Sequence, residues 1–394
     1  MKKIGFLVTV IVMAALFAVS ASALEPAGQC GDNVYWAFDE ASGELIVSGE
    51  GDIYDYYGIN ENYHRSPFCS SDIKSVVVED GITSIGNNMF SDCHYITNVT
   101  LPDGLIRIGK YAFQNCTKLS SIVIPNSVVR IGKYAFKYCI NLSNITLSRN
   151  TMSIGEWSFG GCYKLTNITI PDCVTSIGEY AFYDCANISN VTIGNNVTSI
   201  GEYAFCDCDS LVNITIPDSV TRIGKCAFNY CNKLSNVIIG NGVKTIGDFA
   251  FTDCTNLKSI TIGKGLENVG YSAFDYCIGL NNVYYNGTLK QWAKIDFDLH
   301  NEYLTNATIH CTEIPEEPIE PEIPDEQTIP EEPDTPDVPD EPIKPSEPEF
   351  PTDYDNNCSC DCHVGGLKTL FFKIMNFFQK LFGKNKVCAC GVAH

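Results

Sequence analysis

Two clusters of cysteine and histidine near the C-terminal end carry the residue types best suited to chemistry. The two clusters consist of Cys358, Cys360, Cys362 and His363, and of Cys388, Cys390 and His394. Thiolates and imidazoles bind zinc, and cysteines of a secreted chain also pair as disulfides. The Cys-x-Cys spacing differs from the common Cys-x-x-Cys zinc motif. Zinc, disulfides and thiols for covalent attachment therefore all stay open as interpretations.

The segment between these clusters has hydrophobic side chains at helical spacing. They are Leu367, Leu370, Phe371, Ile374, Phe377, Phe378 and Leu381. Lysines occupy other positions of the helical wheel, and a helix over 367–382 would be ~24 Å long, too short to cross a bilayer. Such a helix suits an anionic surface, so we expect it to retain the protein by peripheral membrane or envelope contact. The alternative is a helix that packs within its own small module and docks on a protein.

The remaining histidines do not form a catalytic pattern. The six histidines are scattered, and none lies in His-Glu-x-x-His or beside a Gly-x-Ser-x-Gly turn. Asp184, Asp207 and Asp253 neighbour cysteines at repeated positions, which suits a solvated turn better than an acid and base pair. We expect no catalytic residues, no enzyme activity and no cofactor in this part of the chain.

A strict internal repeat organises most of the sequence. Phenylalanine recurs every 23 residues from Phe90 to Phe274, and a cysteine follows three places after each one, from Cys93 to Cys277. Nine units without an insertion predict a solenoid, because a longer unit would lose register with its neighbours. The nine cysteines share one position in the repeat, so we interpret them as reduced core thiols, with disulfides between repeats as the alternative.

A single repeat, such as residues 177–199, contains two kinds of hydrophobic pattern. Steps of three to five residues from Ile177 to Ile188 predict a short helix or helical turns, with Gly178 near the start. The alternation around Val191 predicts a strand, and a second extended piece follows at Val197. Stacked repeats would pair these strands into a parallel sheet. One repeat has Thr151 where most have Val or Leu, and we expect a local shift there.

The two ends of the chain differ from the repeats in composition. Residues 1–23 have two lysines, an apolar run and a small-residue end, which together indicate a secretory signal peptide rather than a membrane anchor. Residues 313–355 contain 17 acidic residues, one lysine and 12 prolines, which predict an extended, disordered stalk. Most of the net charge of −21 comes from this stalk. The repeats are only mildly acidic, so nucleic acid is not an expected partner.

The repeat resembles the BspA-type leucine-rich repeat of secreted and surface proteins. The residues that carry the resemblance are Ile-Gly-x-x-Ala-Phe-x-x-Cys-x-x-Leu-x-x-Ile-x-Ile-Pro, over about residues 82–285, after a truncated unit "SPFCSSDIKSVVV". The flanking stretches from Cys30 to Tyr56 and from Val283 to Cys311 resemble the caps of that family. Caps are expected because an open solenoid end exposes core and strand edge.

The resulting fold prediction is a leucine-rich repeat solenoid with α/β rungs of a short strand plus a helical turn, a parallel sheet and capping elements. A disordered Pro/Glu linker and a small helical Cys/His module complete it. The predicted boundaries are a signal peptide at 1–23, an N-terminal β cap at 24–66, the solenoid at 67–285, a C-terminal cap at 286–311, the stalk at 312–357 and the helical module at 358–394.

The outward positions of the predicted strands form the candidate binding surface. They are Asn98, Thr100, Asn144, Thr146, Asn167, Thr169, Asn190, Thr192, Asn213 and Thr215. These residues alternate with inward Val or Ile and should form Asn and Thr columns on an exposed sheet. Strand propensity alone also explains threonine there, so a binding role and a purely structural role both stay open.

The resemblance implies a secreted, non-enzymatic protein that binds extracellular proteins or host matrix, since family members are commonly described as adhesins. Adhesion to host or neighbouring cells is therefore the expected function, at an extracellular or cell-surface location. The alternative is a structural surface component that self-associates, and an enzyme carried on a repeat scaffold is a third reading. Zinc is the candidate ion only for the C-terminal clusters.

Overall fold

The computed structural model describes residues 27–57, 66–68 and 72–312. The signal peptide, the stalk and the C-terminal helical module lie outside the described residues, so the expectations about them stay predictions. The described part forms a β-solenoid of about 10 turns with parallel sheets and little helix. Each turn is one 23-residue repeat, called a rung below, and its three sides are described in turn.

The N-terminal end of the solenoid is an antiparallel sheet. Its strands are β1 (Ala27–Gly31), β2 (Asn33–Asp39) and β3 (Glu44–Asp52). β1 pairs with β2 and β2 with β3, whereas β3 pairs in parallel with the first two strands of the rungs. The buried residues of β2 and β3, such as Val34 and Leu45, cover the first rung, as a cap must do to keep core from solvent.

The first side of each rung is a strand of three or four residues. These strands are β4 (Ser75–Val78), β6 (Asn98–Thr100), β8 (Ser121–Val123), β10 (Asn144–Thr146), β12 (Asn167–Thr169), β14 (Asn190–Thr192), β16 (Asn213–Ile216), β18 (Asn236–Ile239), β20 (Ser259–Ile262), β22 (Asn282–Tyr285) and β24 (Thr308–Cys311). All pair in parallel, with a register of one rung. Their outward side is called the strand face below.

The second side of each rung is a shorter strand, in most rungs of two residues. These strands are β5 (Ile82–Ile85), β7 (Arg107–Ile108), β9 (Arg130–Ile131), β11 (Ser153–Ile154), β13 (Ser176–Ile177), β15 (Ser199–Ile200), β17 (Arg222–Ile223), β19 (Thr245–Ile246), β21 (Asn268–Val269) and β23 (Asp296–Phe297). Their parallel pairing runs without a break from β3 to β23. The second extended piece predicted for each repeat is therefore present.

The third side is a series of turns and not the predicted helical turns; its outward side is called the turn face. In the rung around Phe182, Tyr180 and Asp184 have φ angles of 54° and 56°, in the left-handed region. The N–H groups of Tyr180, Phe182 and Asp184 donate to carbonyls of the next rung, at 2.8 Å each. A helix would direct these groups to its own preceding turn, so stacking of the rungs replaces helical hydrogen bonding.

The core lies inside these three sides and consists of repeated columns. The phenylalanines from Phe68 to Phe274 stack ring on ring, with centroids 5.1–5.9 Å apart. The nine from Phe90 to Phe274 are fully buried. The identical residue in every rung thus packs against its own copy, which explains why the repeat keeps one length.

The local shift expected at Thr151 does not occur. Ser153 and Ile154 pair in register with the rungs on both sides. Thr151 is buried, and its hydroxyl donates to the carbonyl of Val128 at 3.4 Å. This hydrogen bond satisfies the polar group, so threonine replaces a hydrophobic residue without moving the backbone.

The C-terminal end of the described chain contains two short helices, α1 (Leu289–Trp292) and α2 (Glu302–Thr305). Thr288 caps α1, with Gln291 returning a hydrogen bond in a capping box. Trp292 packs against Tyr285 and Phe297, and Leu304 is buried against the last rung. Among the described residues, no helix is long and apolar enough to cross a membrane.

Candidate functional site

The ten Asn and Thr residues predicted as a binding surface all lie exposed on the strand face. Side chains of a strand alternate between its two sides, so the intervening Val and Ile point to the core while Asn and Thr point to solvent. Pairing in register then places equivalent residues side by side, with Asn167 opposite Asn190 and Thr169 opposite Thr192. The predicted columns are therefore present, and whether they bind a ligand stays a prediction.

The asparagines of the strand face are hydrogen-bonded to one another. Asn190 Nδ2 donates to Asn167 Oδ1 at 2.8 Å, and Asn236 Nδ2 donates to Asn213 Oδ1 at 2.9 Å. The hydroxyl of Ser259 donates to Asn236 Oδ1 at 2.7 Å. Each bridging amide has a second N–H and a second lone pair, which can face a partner. The column is thus held in one arrangement before any partner arrives.

The outward positions of ten successive strands carry no Asp, Glu, Lys or Arg. They are Asn98, Thr100, Ser121, Val123, Asn144, Thr146, Asn167, Thr169, Asn190, Thr192, Asn213, Thr215, Asn236, Ile238, Ser259, Thr261, Asn282, Tyr284, Thr308 and His310. Exposed hydrophobic side chains interrupt the Thr column at Val123, Ile238 and Tyr284. The surface is therefore flat, uncharged and rich in hydrogen-bonding groups, although the whole chain has a net charge of −21.

The strand face ends at an aromatic pair that the sequence reasoning missed. The rings of Tyr284 and His310 stack with centroids 4.8 Å apart, and a ring nitrogen of His310 lies 3.0 Å from Asn282 Oδ1. The register of β22 and β24 brings these two residues together, although 26 residues separate them in sequence. Irregular spacing hides the pair, because the C-terminal rung is longer than 23 residues.

The turn face carries a second column of aromatic residues that was also missed. Tyr111, Tyr134, Trp157, Tyr180 and Tyr203 are partly exposed and stack along the rungs, with centroids 4.6–6.3 Å apart. Their spacing of 23 residues was the signal available, since each lies two places before a core phenylalanine. The amphipathic pattern drew attention to the buried phenylalanines alone.

A lysine ammonium group lies within this aromatic column. Lys137 Nζ is 3.8 Å from the ring centre of Trp157, 4.9 Å from that of Tyr138 and 5.1 Å from that of Tyr134. The negative faces of aromatic rings attract cations at such distances. The turn face therefore already binds one cation of its own chain.

Carboxyl groups on the turn face lie close enough to affect one another. Burial and the neighbouring Asp207 raise the pKa of Asp184 to about 6, against a hydrogen bond from Tyr163 that lowers it. Burial raises the pKa of Asp207, and hydrogen bonds from Cys206 and Tyr183 lower it. The two carboxylates therefore repel each other at neutral pH in a partly desolvated environment.

The nine cysteines of the repeat are buried in a uniform setting. Each thiol donates to the carbonyl of a phenylalanine on the preceding rung, as Cys185 Sγ does to Phe159 O at 3.3 Å. Within the described chain these cysteines carry thiols rather than disulfides, as the core interpretation expects. Burial raises the pKa of Cys139 to about 12, which keeps that thiol protonated and a poor nucleophile.

The candidate residues of the C-terminal module lie outside the described residues. They include the seven Cys and His residues predicted to bind metal or form disulfides, and the hydrophobic residues from Leu367 to Leu381 predicted to retain the protein. Within residues 27–57, 66–68 and 72–312, no group of three or more His, Cys, Asp or Glu is arranged to hold a metal ion.

Comparison with known proteins identifies the repeat. A family model described as "BspA type Leucine rich repeat region (6 copies)" matches residues 62–189 and 175–302. These matches together extend over more than half of the 394 residues. No curated protein matches the chain.

Three solved structures are similar to parts of the chain. A leucine-rich repeat protein from Bacteroides ovatus is 20% identical, covers 72% of this chain and 100% of its own, and has a TM-score of 0.36. A leucine rich cell surface protein from Faecalibacterium prausnitzii is 24% identical, with coverages of 71% and 99% and a TM-score of 0.32. The pneumococcal vaccine antigen PcpA is 14% identical, with coverages of 74% and 100% and a TM-score of 0.35.

Proposed function

The chain belongs to the BspA-type leucine-rich repeat family, whose members are typically non-enzymatic binding proteins, and from this membership we propose that it mediates protein–protein binding or adhesion. Its partners would be extracellular proteins or host matrix, met on or near a cell surface. The N-terminal segment, which has the pattern of a signal peptide, supports that location.

The exposed strand face is the observation that carries this proposal. Ten successive strands present uncharged side chains in two columns, and the Asn column is fixed by hydrogen bonds between rungs. A partner that binds a fixed side chain does not have to restrict its rotation, so less conformational entropy is lost on binding. Amide and hydroxyl groups can both donate and accept, which suits the polar groups of another protein.

The experiment uses the full secreted chain and two matched double variants. Thr169→Arg/Thr192→Arg adds two adjacent positive charges to the strand face, because the two threonines are paired in register. Ser176→Arg/Ser199→Arg adds the same charges to the short strands, where Ser176 and Ser199 are also paired. Arg107, Arg130 and Arg222 naturally occupy this second position in other rungs, so the control variant should fold normally.

Retention of extracellular proteins from a mucosal extract is the measurement. We expect the wild type and the Ser176→Arg/Ser199→Arg variant to retain the same protein, and Thr169→Arg/Thr192→Arg to lose it. Equal retention by both variants, or none by the wild type, would contradict the proposal. Sedimentation of the purified chain completes the test, since self-association without a heterologous partner would favour the structural alternative.

A further inference from the structure

The middle of the turn face combines aromatic side chains with carboxylates. Trp157, Tyr180 and Tyr203 stack at 4.6 Å between neighbouring centroids. Tyr183 lies against this stack, with its centroid 5.2 Å from that of Trp157 and 5.7 Å from that of Tyr180. All four are partly exposed, so one continuous aromatic patch faces solvent over three rungs.

Acidic groups surround this patch on the same rungs. Tyr183 is hydrogen-bonded to Asp207, and Tyr163 to Asp184. Glu179 and Glu202 lie close enough to Tyr180 to raise the pKa of its hydroxyl, after the larger effect of burial. From Trp157 to Asp209 the chain has six acidic residues and one lysine. The patch is therefore locally negative.

We propose that this patch, formed by Trp157, Tyr180, Tyr183 and Tyr203 with Glu179, Asp184, Glu202 and Asp207, binds a cationic polypeptide segment of an extracellular partner. Tyrosine and tryptophan are the residues that contribute most to protein interfaces, because they bury a large area at low entropic cost. Lysine or arginine of the partner would lie against the aromatic rings and between the carboxylates. The surface is on another side of the rungs than the strand face, so it goes beyond the function proposed above.

Two observations on the turn face favour a cation as the ligand. Lys137 lies within cation–π distance of three rings at the adjoining part of the same aromatic column, with the Trp157 ring centre 3.8 Å away. Asp184 and Asp207 repel each other across neighbouring rungs, and a positive group placed between them removes that repulsion. Binding of a cation therefore relieves an unfavourable feature of the protein alone.

The test variant is Asp184→Asn/Asp207→Asn, which removes two charges without changing side-chain shape. Both aspartates have positive φ, 56° and 59°, and asparagine tolerates this conformation well. Asn115 naturally occupies the equivalent position with φ 57°. The control is Asp172→Asn/Asp218→Asn, two exposed aspartates outside the patch whose Oδ1 atoms accept backbone N–H groups that asparagine can also satisfy.

Binding of a short lysine-rich peptide to the full secreted chain is measured by calorimetry, with a glutamate-rich peptide for comparison. The acidic stalk is the same in every variant, so its background attraction cancels. We expect the Asp184→Asn/Asp207→Asn variant to bind about tenfold more weakly than the wild type, and the control to stay within about twofold. Wild-type affinity should also fall between pH 7 and pH 5 as Asp184 gains a proton, with a smaller change in the test variant.

Equal affinity of the test variant and the wild type would overturn the proposal, as would an equal loss in the control. A glutamate-rich peptide that binds as well as the lysine-rich one would also overturn it. The Thr169→Arg/Thr192→Arg variant should bind the lysine-rich peptide with unchanged affinity. Failure of the strand-face proposal and failure of this one are therefore distinguishable.

Discussion

The thiol of Cys185 shows why cysteine recurs at one position of every rung. The sequence predicts a small apolar residue there, and the structure adds a hydrogen bond. Phe159 O accepts both the N–H of Cys162 at 3.2 Å and the thiol of Cys185 at 3.3 Å. Alanine would fill less of the core and would leave out the second bond. Cysteine is thus a hydrophobic residue that also links two rungs, weakly, through sulfur.

Replacement of Cys185 should therefore separate packing from charge. We expect Cys185→Ala to cost about 1–2 kcal/mol, because it removes one buried sulfur and one weak bond. Cys185→Asp should cost more than about 4 kcal/mol, because it places an unpaired carboxyl in a packed interior. Denaturant unfolding followed by circular dichroism gives both values. Equal midpoints for the two variants would contradict the assignment of this column to the core.

The turn that carries Phe182 is the element that sequence reasoning described least well. Hydrophobic residues at steps of three to five fit a helix, but they fit any compact turn that buries the same face. What distinguishes the two is the destination of the N–H groups, which here is the next rung. That information depends on stacking and is absent from a single repeat. Tyr180 and Asp184 give no warning of their positive φ, since neither residue type requires it.

Other elements were predictable because one repeat contains the whole signal. Alternation at Asn190, Val191 and Thr192 gives β14 and its exposed side, and the 23-residue period gives the Phe column. The aromatic column and the acidic patch of the turn face were not predicted, because their meaning depends on which side chains the turns expose. Thr151 was wrongly expected to shift the backbone, since the hydrogen bond that satisfies it comes from another rung.

The glycine that follows Ile in each repeat has a role that the sequence did not reveal. A Cβ atom on Gly201 would lie 2.6 Å from the carbonyl carbon of Gly178 and 2.6 Å from the backbone nitrogen of Glu179. The same glycine in other rungs, such as Gly224 and Gly247, meets the preceding backbone at similar distances. Glycine is thus required because neighbouring rungs approach closely, and not because a helix begins there.

Gly201→Ala should destabilise the solenoid by about 2–3 kcal/mol, since the backbone of the preceding rung must move. Gly104→Ala is the matched control: a Cβ there meets nothing within 4 Å. We expect that control to be neutral or stabilising by up to about 1 kcal/mol, because alanine lowers the entropy of the unfolded chain. Thermal unfolding of both variants checks this. A smaller loss in Gly201→Ala than in Gly104→Ala would rule out the close-approach explanation.

At the scale of the whole molecule, the solenoid consists of units that contact only their neighbours. Core, thiol and glycine columns place each residue against its own copy one rung away, as Phe182 lies against Phe159 and Phe205. Stability is then close to a sum of rung and interface contributions. Exact length is the condition for this exchangeability, because every column depends on the same 23-residue offset.

Removal of one complete rung tests this condition. Deletion of residues 180–202 joins Glu179 to Tyr203, which would bring Phe205 against Phe159 and the thiol of Cys208 within reach of Phe159 O, contacts of the kind already present. We expect this variant to fold cooperatively, with a denaturant slope smaller by roughly a tenth because one rung in about ten is lost. Deletion of residues 180–201 removes one residue fewer, so every later column shifts against the earlier rungs. That variant should lose its cooperative transition or most of its stability, because buried and exposed positions no longer coincide. Urea unfolding of the two chains, followed by circular dichroism and tryptophan fluorescence, compares them directly. Comparable stability of both deletions would show that the columns, and with them the strict 23-residue period, do not determine the register of the rungs.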